Sequence, residues 1–594
     1  MRLLKIIPVY IFIFFISFSS FAQTQDAPKY WIIFKDKGAF KPTEKVLPGT
    51  DAYEAGKSVL TERAIQRRMK VLPEDKLIDF KDIPLNSAYI DEVKNHDIKI
   101  IAKSRWFNGV SAYLTQAQLD AVRKLDCVGD VLLLQRSVMK GSQDISPVNV
   151  TISDFQGVTE QGSSKFKYNY GKSFSQLNQI NVPQLHNLGI TGKGVKIASF
   201  DSGFEWRDHE ALRNLNITAE YDFINEDYNT ANEPGQAYVD VKDQSMHGTA
   251  TLSNLAGFKE GKLIGPAFGS EIVLGKTEYT PTETPMEEDF YLEAAEWAEA
   301  LGVDVITSSL GYRNFDPEYA KNSYKYEDFN GDVAITTLAG KRAAYLGVVV
   351  VASNGNYHQT MPPSIGSPAD GDSIIGVGAV QINGDIANFS SNGPTADGRI
   401  KPDVCALGVG NLCALSKQMC FIDSGYTYMN GTSFSCPITA GVVALLLSAH
   451  PELTPMQVRD ALRMTANRSS NPDNTYGWGL IDALAALKSL GISFSNEPAV
   501  ESSENGTVVK ISVLSNKKID ESKVKIYYST DGGATYNEKV MELFNQIDKN
   551  NSGDYRVSLG SVSPENLKVY FTASDESSFE MWPLQGEKSP FELK

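Results

Sequence analysis

Between Tyr168 and about Ile492 the chain alternates two apolar patterns. Runs of near-continuous β-formers ("GVKIASFD", "SEIVLGKT", "VDVITSSL", "GVVVVAS", "IIGVGAV") are separated by segments with helical spacing, such as "DFYLEAAEWAEAL" and "ITTLAGKRAAYL". Strands apolar on both faces must be covered on both faces. Their alternation with helices therefore predicts an α/β unit over residues 168–492, a parallel sheet with helices on either side. In such a sheet, chemistry gathers at the carboxyl ends of the strands.

The flanking regions carry other patterns. Residues 27–140 read as a small α+β unit. "KYWIIF" is a strand, "KSVLTERAIQRRMKV" has helical spacing, "IKIIAKSRWFNGVSAYLT" suggests paired strands, "QAQLDAVRKL" a helix and "CVGDVLLLQ" a closing strand. Residues 141–167, rich in Ser, Gly, Gln and Asp, show no sustained period and read as a linker. From residue 496 to 594 helical spacing vanishes. Short strands ("GTVVKISVLS", "SKVKIYYST", "DYRVSLGSV", "LKVYFTAS") separated by turn residues predict a β-sandwich-like domain. Its "STDGGATY" has the look of a sialidase Asp-box, but a single copy between two strands reads as a hairpin turn.

The first 22 residues have a basic start at Arg2 and Lys5, an apolar run, and small residues at Ser20 and Ala22. This pattern predicts a signal peptide cut after Ala22 and a secreted protein, periplasmic or extracellular. No later stretch holds about 18 uninterrupted apolar residues, so no membrane span is expected. At 594 residues, 42% of them hydrophobic, the chain is long and apolar enough for several packed domains, and general disorder is excluded. A formal charge of −16 argues against a nucleic-acid partner. In an exported protein, Cys405, Cys413 and Cys420 invite one disulfide whose pairing the sequence leaves open. Their spacing fits no zinc site.

Candidate chemistry starts at "NGTSFSCP", where Ser433, Ser435 and Cys436 precede a long apolar segment. A hydroxyl needs a base within reach, a group to orient the base and donors for the oxyanion. Among the six histidines, His247 opens "HGTATLSNLAG", at the start of a helix of small residues. Asp201 ends the strand "GVKIASFD", and an acid at the end of a buried strand asks for a partner. "NGT" also matches a glycosylation acceptor, discarded because a glycan there would sit on the candidate nucleophile.

Taken together, "ASFDSG", "HGTATLSNLAG", "VVVVASNGN" and "NGTSFSCP" resemble the subtilisin-like serine proteases, the subtilases or peptidase S8 family, over about residues 168–492. The resemblance implies a subtilisin-like fold and a secreted serine endopeptidase. In it Ser433 would be the nucleophile, His247 the general base and Asp201 the group that holds the base. Asn356, rather than Asn354, would join the Ser433 N–H in binding the oxyanion. Ser309, Leu310 and Gly311 of "TSSLG" resemble the segment that pairs with an extended substrate. The N-terminal unit resembles the family's propeptides, so the chain is expected to be a zymogen whose own propeptide is its chaperone and intramolecular inhibitor. Expected substrates are peptides or unfolded proteins, and the protein is expected to be a monomer. No cofactor is required for the chemistry. A structural calcium ion is a family expectation for which Asp328, Asn330 and Asp332 of "YEDFNGD" are weak candidates. One competing reading is a cysteine protease using Cys436, disfavoured because a Cys before Pro437 at the start of an apolar helix is expected to pack inward. The other is an inactive peptide- or surface-binding scaffold, disfavoured by the presence of all four expected positions. A zinc protease would need HExxH, and the sequence has none.

Overall fold

The computed structural model describes residues 27–133, 166–416, 425–503 and 506–593. The expected signal peptide, most of the expected linker and Cys420 lie outside the described residues. The N-terminal unit is built on a four-stranded antiparallel sheet of β1 (Lys29–Phe34), β2 (Ala102–Ser104), β3 (Gly109–Tyr113) and β4 (Val128–Leu133), in the order β2-β3-β1-β4. The stretch with helical spacing in "KSVLTERAIQRRMKV" contains the end of one short helix, Asp51–Lys57, and a second, α1 (Glu62–Arg68). Thr61 caps α1, its hydroxyl accepting from the Ala64 N–H, and the helix begins afresh there.

The central unit is a seven-stranded parallel sheet with the order β11-β10-β9-β8-β5-β7-β6. Its strands are β5 (Lys196–Asp201), β6 (Asn216–Asp222), β7 (Glu271–Lys276), β8 (Val305–Ser308), β9 (Val349–Ser353), β10 (Ile374–Val380) and β11 (Val404–Leu407). Side chains alternate across it. Ile197, Val349 and Val351 join the core under α2 (Met246–Ala256), whereas Ala198, Phe200, Val350 and Ala352 face α3 (Met286–Ala300) and α4 (Ile335–Tyr345). Both faces are therefore dry, which is why the strands read as unbroken apolar runs. Two strands were not anticipated. β6 is a half-exposed edge strand with little apolar signal, and β11 has only four residues.

On the α2 face lies α5 (Thr432–Ala449), in which every residue is buried. Among the described helices it alone is long and apolar enough to cross a membrane, with a mean hydropathy of 1.6. It is the core helix of the domain, packed on β8, β9 and β10. The C-terminal region forms two antiparallel sheets that share their own apolar core, including Val509, Ile511, Ile526 and Phe571. "STDGGATY" is the turn between the paired strands Lys525–Ser529 and Asn537–Val540, with Gly532 and Gly533 at positive φ.

The N-terminal unit rests on α3. Trp31, Ala102 and Trp106 enter the same core as Phe290, Ala294 and Ala298. Around them Asp289, Glu293, Glu296 and Glu299 form a stripe along α3, spaced so that one helix face carries all four. Asp289 pairs with Lys29 at 2.7 Å, Glu293 accepts from the Lys103 N–H at 2.8 Å, and Glu296 accepts from the Arg105 and Trp106 N–H groups. Glu299 pairs with both Arg67 and Arg68. Arg68 also pairs with Asp82 at 2.8 Å, and Arg67, Arg68, Asp82 and Glu299 are all buried.

Candidate active site

Parallel topology brings the candidate residues together. Asp201 closes β5, Ser309 follows β8 and Asn356 follows β9, and these three strands are neighbours, so all three residues emerge at one edge of the sheet. Helices α2 and α5 start at the same edge and deliver His247 and Ser433 in their first turns. α2 comes very near β5 because Gly248 has no side chain. A Cβ there would lie 2.2 Å from the Gly203 carbonyl oxygen and 3.0 Å from the Asp201 Cβ.

His247 Nδ1 lies 2.7 Å from Asp201 Oδ1. The Asp201 side chain is 1% exposed, whereas 32% of the His247 side chain is open. Its other ring nitrogen makes no hydrogen bond within the described residues. Burial opposes a charge on the imidazole, but the Asp201 carboxylate, through its charge and hydrogen bond, outweighs burial and raises the His247 pKa above its ordinary 6.5. The Ser202 N–H also donates to Asp201 Oδ1 at 2.8 Å, and the Thr251 hydroxyl donates to Oδ2 at 2.9 Å. Neither Ser202 nor Thr251 was singled out by sequence reasoning. For Thr251 a signal existed: it lies one helix turn after His247.

Ser433 is buried, and its hydroxyl donates to the Ser309 carbonyl at 3.3 Å rather than to His247. Ser309 answers with its own hydroxyl, which donates to the Ser433 carbonyl at 2.7 Å. This reciprocal pair locks "TSSLG" against the start of α5. Leu310 and Gly311 remain half-exposed beside it. Asn356 accepts from the N–H and hydroxyl of Thr432, both at 2.9 Å, which commits its amide oxygen and turns Nδ2 the other way. Gly431, at φ +149°, leaves room there. A Cβ on it would sit 3.5 Å from the Ser433 nitrogen and 3.6 Å from Asn356 Nδ2, so both nitrogens border the same small space beside Gly431. Asn354 is buried and donates to the Ser391 carbonyl at 2.8 Å, away from that volume.

The other reactive groups have structural surroundings. Cys436 is buried against Thr307, Ser308 and Val351, and burial pushes its thiol up to about 12, so at neutral pH no thiolate is present. The Ser435 hydroxyl donates to the Thr432 carbonyl. Phe434 packs on Ala250, Cys413 and Met429, with its ring 5.9 Å from that of His247. Burial pushes the His186 pKa down to about 4, and that ring bonds Tyr170 and the Pro266 carbonyl. Cys405 and Cys413 are buried free thiols, so the disulfide invited by the sequence does not join these two. Each has its own partner: Cys405, on β11, donates to the Tyr476 carbonyl, and Cys413 accepts from the Asn254 amide.

Each of the calcium candidates has a partner of its own within the protein. Asp328 accepts from the Lys325 N–H, Asn330 from the Asp332 N–H, and Asp332 pairs with Lys341 at 2.7 Å. These contacts order the turn and tie it to α4. Among the described residues no group of three or more His, Cys, Asp or Glu is placed to hold a metal.

A parallel sheet covered by helices, with an Asp–His pair and a serine beside two convergent donors at its carboxyl edge, defines the serine-hydrolase class. Comparison with known proteins names the family. The model of the subtilase family matches residues 192–479, and that of the peptidase S8 propeptide domain of Bacteroidota matches residues 29–147. Subtilisin E of Bacillus subtilis (strain 168) is 32% identical over 314 residues, covering 52% of this chain and 70% of that protein. Subtilisin of Bacillus pumilus is 32% identical over 52% of this chain and 98% of its own length. M-protease of Shouchella clausii is 25% identical over 75% of this chain and 100% of its own length. The chain belongs to the subtilase family, and it is a subtilisin-type serine endopeptidase with an N-terminal propeptide domain.

Proposed function

We propose that this protein is a secreted zymogen whose peptidase uses Asp201, His247 and Ser433 as its triad. The observation that carries this reading is the approach of the Ser433 nitrogen and Asn356 Nδ2 to one small space beside Gly431, next to a histidine held by a buried aspartate. An extended substrate lies along Ser309–Gly311, with its scissile carbonyl oxygen in that volume. The Ser433 hydroxyl turns from the Ser309 carbonyl toward the free His247 nitrogen and gives up its proton as the oxygen attacks the carbonyl carbon. The two donors bind the oxyanion. His247 then passes the proton to the leaving amine, and water releases the acyl group by the same route. Asp201 keeps Nδ1 protonated and stabilises the imidazolium. These steps follow the established serine-protease template and use only groups of this chain. The basic and apolar start of the sequence supports export, and the docked N-terminal domain supports autoinhibition until cleavage between about Ser137 and Lys167.

The test compares wild type with Ser433→Ala. Wild type should yield a chain starting within that segment and should digest a denatured-protein peptide library, with activity falling at acid pH as His247 protonates. Its acid limb should lie above pH 6.5, because Asp201 raises the imidazole pKa. Ser433→Ala should keep its N-terminal domain attached and be inactive. An identical mature N-terminus in both, or a flat rate between about pH 5 and 8, would reject the proposal.

A further inference from the structure

We propose that Thr251 is a positioning residue for the reaction: its hydroxyl fixes the second carboxylate oxygen of Asp201 and thereby sets the plane in which His247 is held. The inference rests on the triad reading above. The two oxygens of Asp201 are treated differently. Oδ1 accepts from His247 Nδ1 at 2.7 Å, the Ser202 N–H at 2.8 Å and the Ser202 hydroxyl at 3.2 Å. Oδ2 accepts, among the described residues, from the Thr251 hydroxyl alone, at 2.9 Å. Both Asp201 and Thr251 are 1% exposed, so water does not replace that donor.

The geometry follows from the helix. His247 and Thr251 are four residues apart on α2 and project from the same face on successive turns. One rigid element thus grips the carboxylate at both oxygens, His247 on one and Thr251 on the other. A carboxylate held at Oδ1 alone is free to rotate about its Cβ–Cγ bond and carry the imidazole with it. A mid-helix threonine ordinarily bonds back to the preceding turn, and Thr251 keeps that option, with the Gly248 carbonyl at 3.1 Å. The nearer, charged acceptor is Asp201. Loss of the hydroxyl would leave a buried carboxylate oxygen without a donor, and bonds to charged groups are the costly ones to lose.

Two effects of opposite visibility follow. Looser orientation lowers kcat. Meanwhile the carboxylate, no longer sharing its charge with a donor on Oδ2, stabilises the imidazolium more strongly, so the acid limb of the pH profile moves up. Thr251 touches neither substrate nor reacting atoms, so KM should hold.

The experiment compares the mature wild-type enzyme with Thr251→Val, which keeps shape and removes the donor, and Thr251→Ser, which keeps the donor. Thr251→Val should lose about tenfold or more in kcat, with KM within about twofold and the acid limb raised by roughly half a pH unit. Thr251→Ser should restore kcat and the wild-type limb. A Thr251→Val enzyme with wild-type kcat and an unmoved limb would overturn the inference. So would Thr251→Ser behaving like Thr251→Val, or a kcat loss accompanied by raised KM and an unmoved limb, which marks general loosening. Should Thr251→Val fail to fold, Thr251→Cys, a weak donor of similar size, is scored in the same way. Labelling of Ser433 by a fluorophosphonate separates the two readings. An unlabelled wild type overturns the triad reading and this inference with it, whereas a labelled wild type with an unaffected Thr251→Val overturns this inference alone.

Discussion

At the scale of single residues the site depends on which side chains are held and which are left free. Thr432 takes the amide oxygen of Asn356, so the amide nitrogen is pre-aimed at the volume above Gly431. Such an arrangement costs no reorganisation when charge develops on a substrate oxygen. Asn356→Ala is accordingly expected to lower kcat about 10²–10³-fold, or about 2.7–4 kcal/mol, the range established for such a donor in a subtilisin. KM should change little, and fluorophosphonate labelling of Ser433 should slow in step. A large rise in KM at unchanged kcat would instead make Asn356 a ground-state binding residue. Asn354 shows the limit of reading neighbours in sequence. It lies two residues away, yet the turn after β9 sends it into the core and leaves Asn356 at the cleft.

At the scale of elements, α3 does two tasks. Its apolar face covers the sheet, and its carboxylate stripe receives the N-terminal domain. The spacing of "EEDFYLEAAEWAEA" displays that stripe in the sequence, but a run of acids on a helix ordinarily faces solvent. Only the docking of β1, β2, β3 and α1 makes it an interface. Glu299 is its most demanding member, since it stands between two fully buried guanidinium groups. Removing one partner of a buried ion network typically costs about 3–5 kcal/mol, because the remaining charges stay buried without compensation. In an uncleaved Ser433→Ala precursor, Glu299→Ala should therefore make the N-terminal domain markedly easier for added trypsin to degrade. Equal resistance with and without the substitution would show that the apolar contacts of Trp31 and Trp106 suffice.

At the scale of the whole molecule, the same interface links domain docking to protons. Burial, chiefly, together with the charges of Glu296 and Asp289, pushes the half-buried Glu293 up to about 8, although the Lys103 N–H and ammonium work the other way. Burial also raises Asp289 and Glu296 despite Lys29 and Arg105, while Arg67 and Arg68 keep Glu299 low. A carboxyl raised in the docked state contributes to docking fully below its free value, and that contribution is lost as pH rises through the docked value. The N-terminal domain should thus loosen as pH rises from about 4.5 to about 8, the free and docked values of Glu293, and Glu293→Gln should flatten that trend. Protease sensitivity of the Ser433→Ala precursor across this range measures it. Lys37, pushed down to about 7 by burial within the N-terminal domain, acts in the opposite sense and is common to both proteins, so the difference between them isolates Glu293. Identical pH trends in the two would remove Glu293 from the linkage.

The sequence by itself determined what local chemistry determines. Unbroken β-runs alternating with helical spacing gave a parallel sheet covered on both faces. Asp201 at a strand end, His247 at a helix start and Ser433 before an apolar helix marked element ends where side chains can meet. Edge strand β6, half-exposed, carried too little apolar pattern to be seen, and the short apolar run of β11 was masked by the glycines of "CALGVGN" that follow at once. Tertiary structure decided everything that depends on distance between remote segments. It alone kept Cys405 and Cys413 apart, tied Asp328, Asn330 and Asp332 to partners of their own, and set Thr251 on the far oxygen of Asp201. The physical reason is common to all of these. Periodicity and end residues report how each element meets water and its own backbone, whereas a hydrogen bond between residues 201 and 251, or an ion pair between 67 and 299, exists only once the sheet has brought them within three ångströms or so of each other.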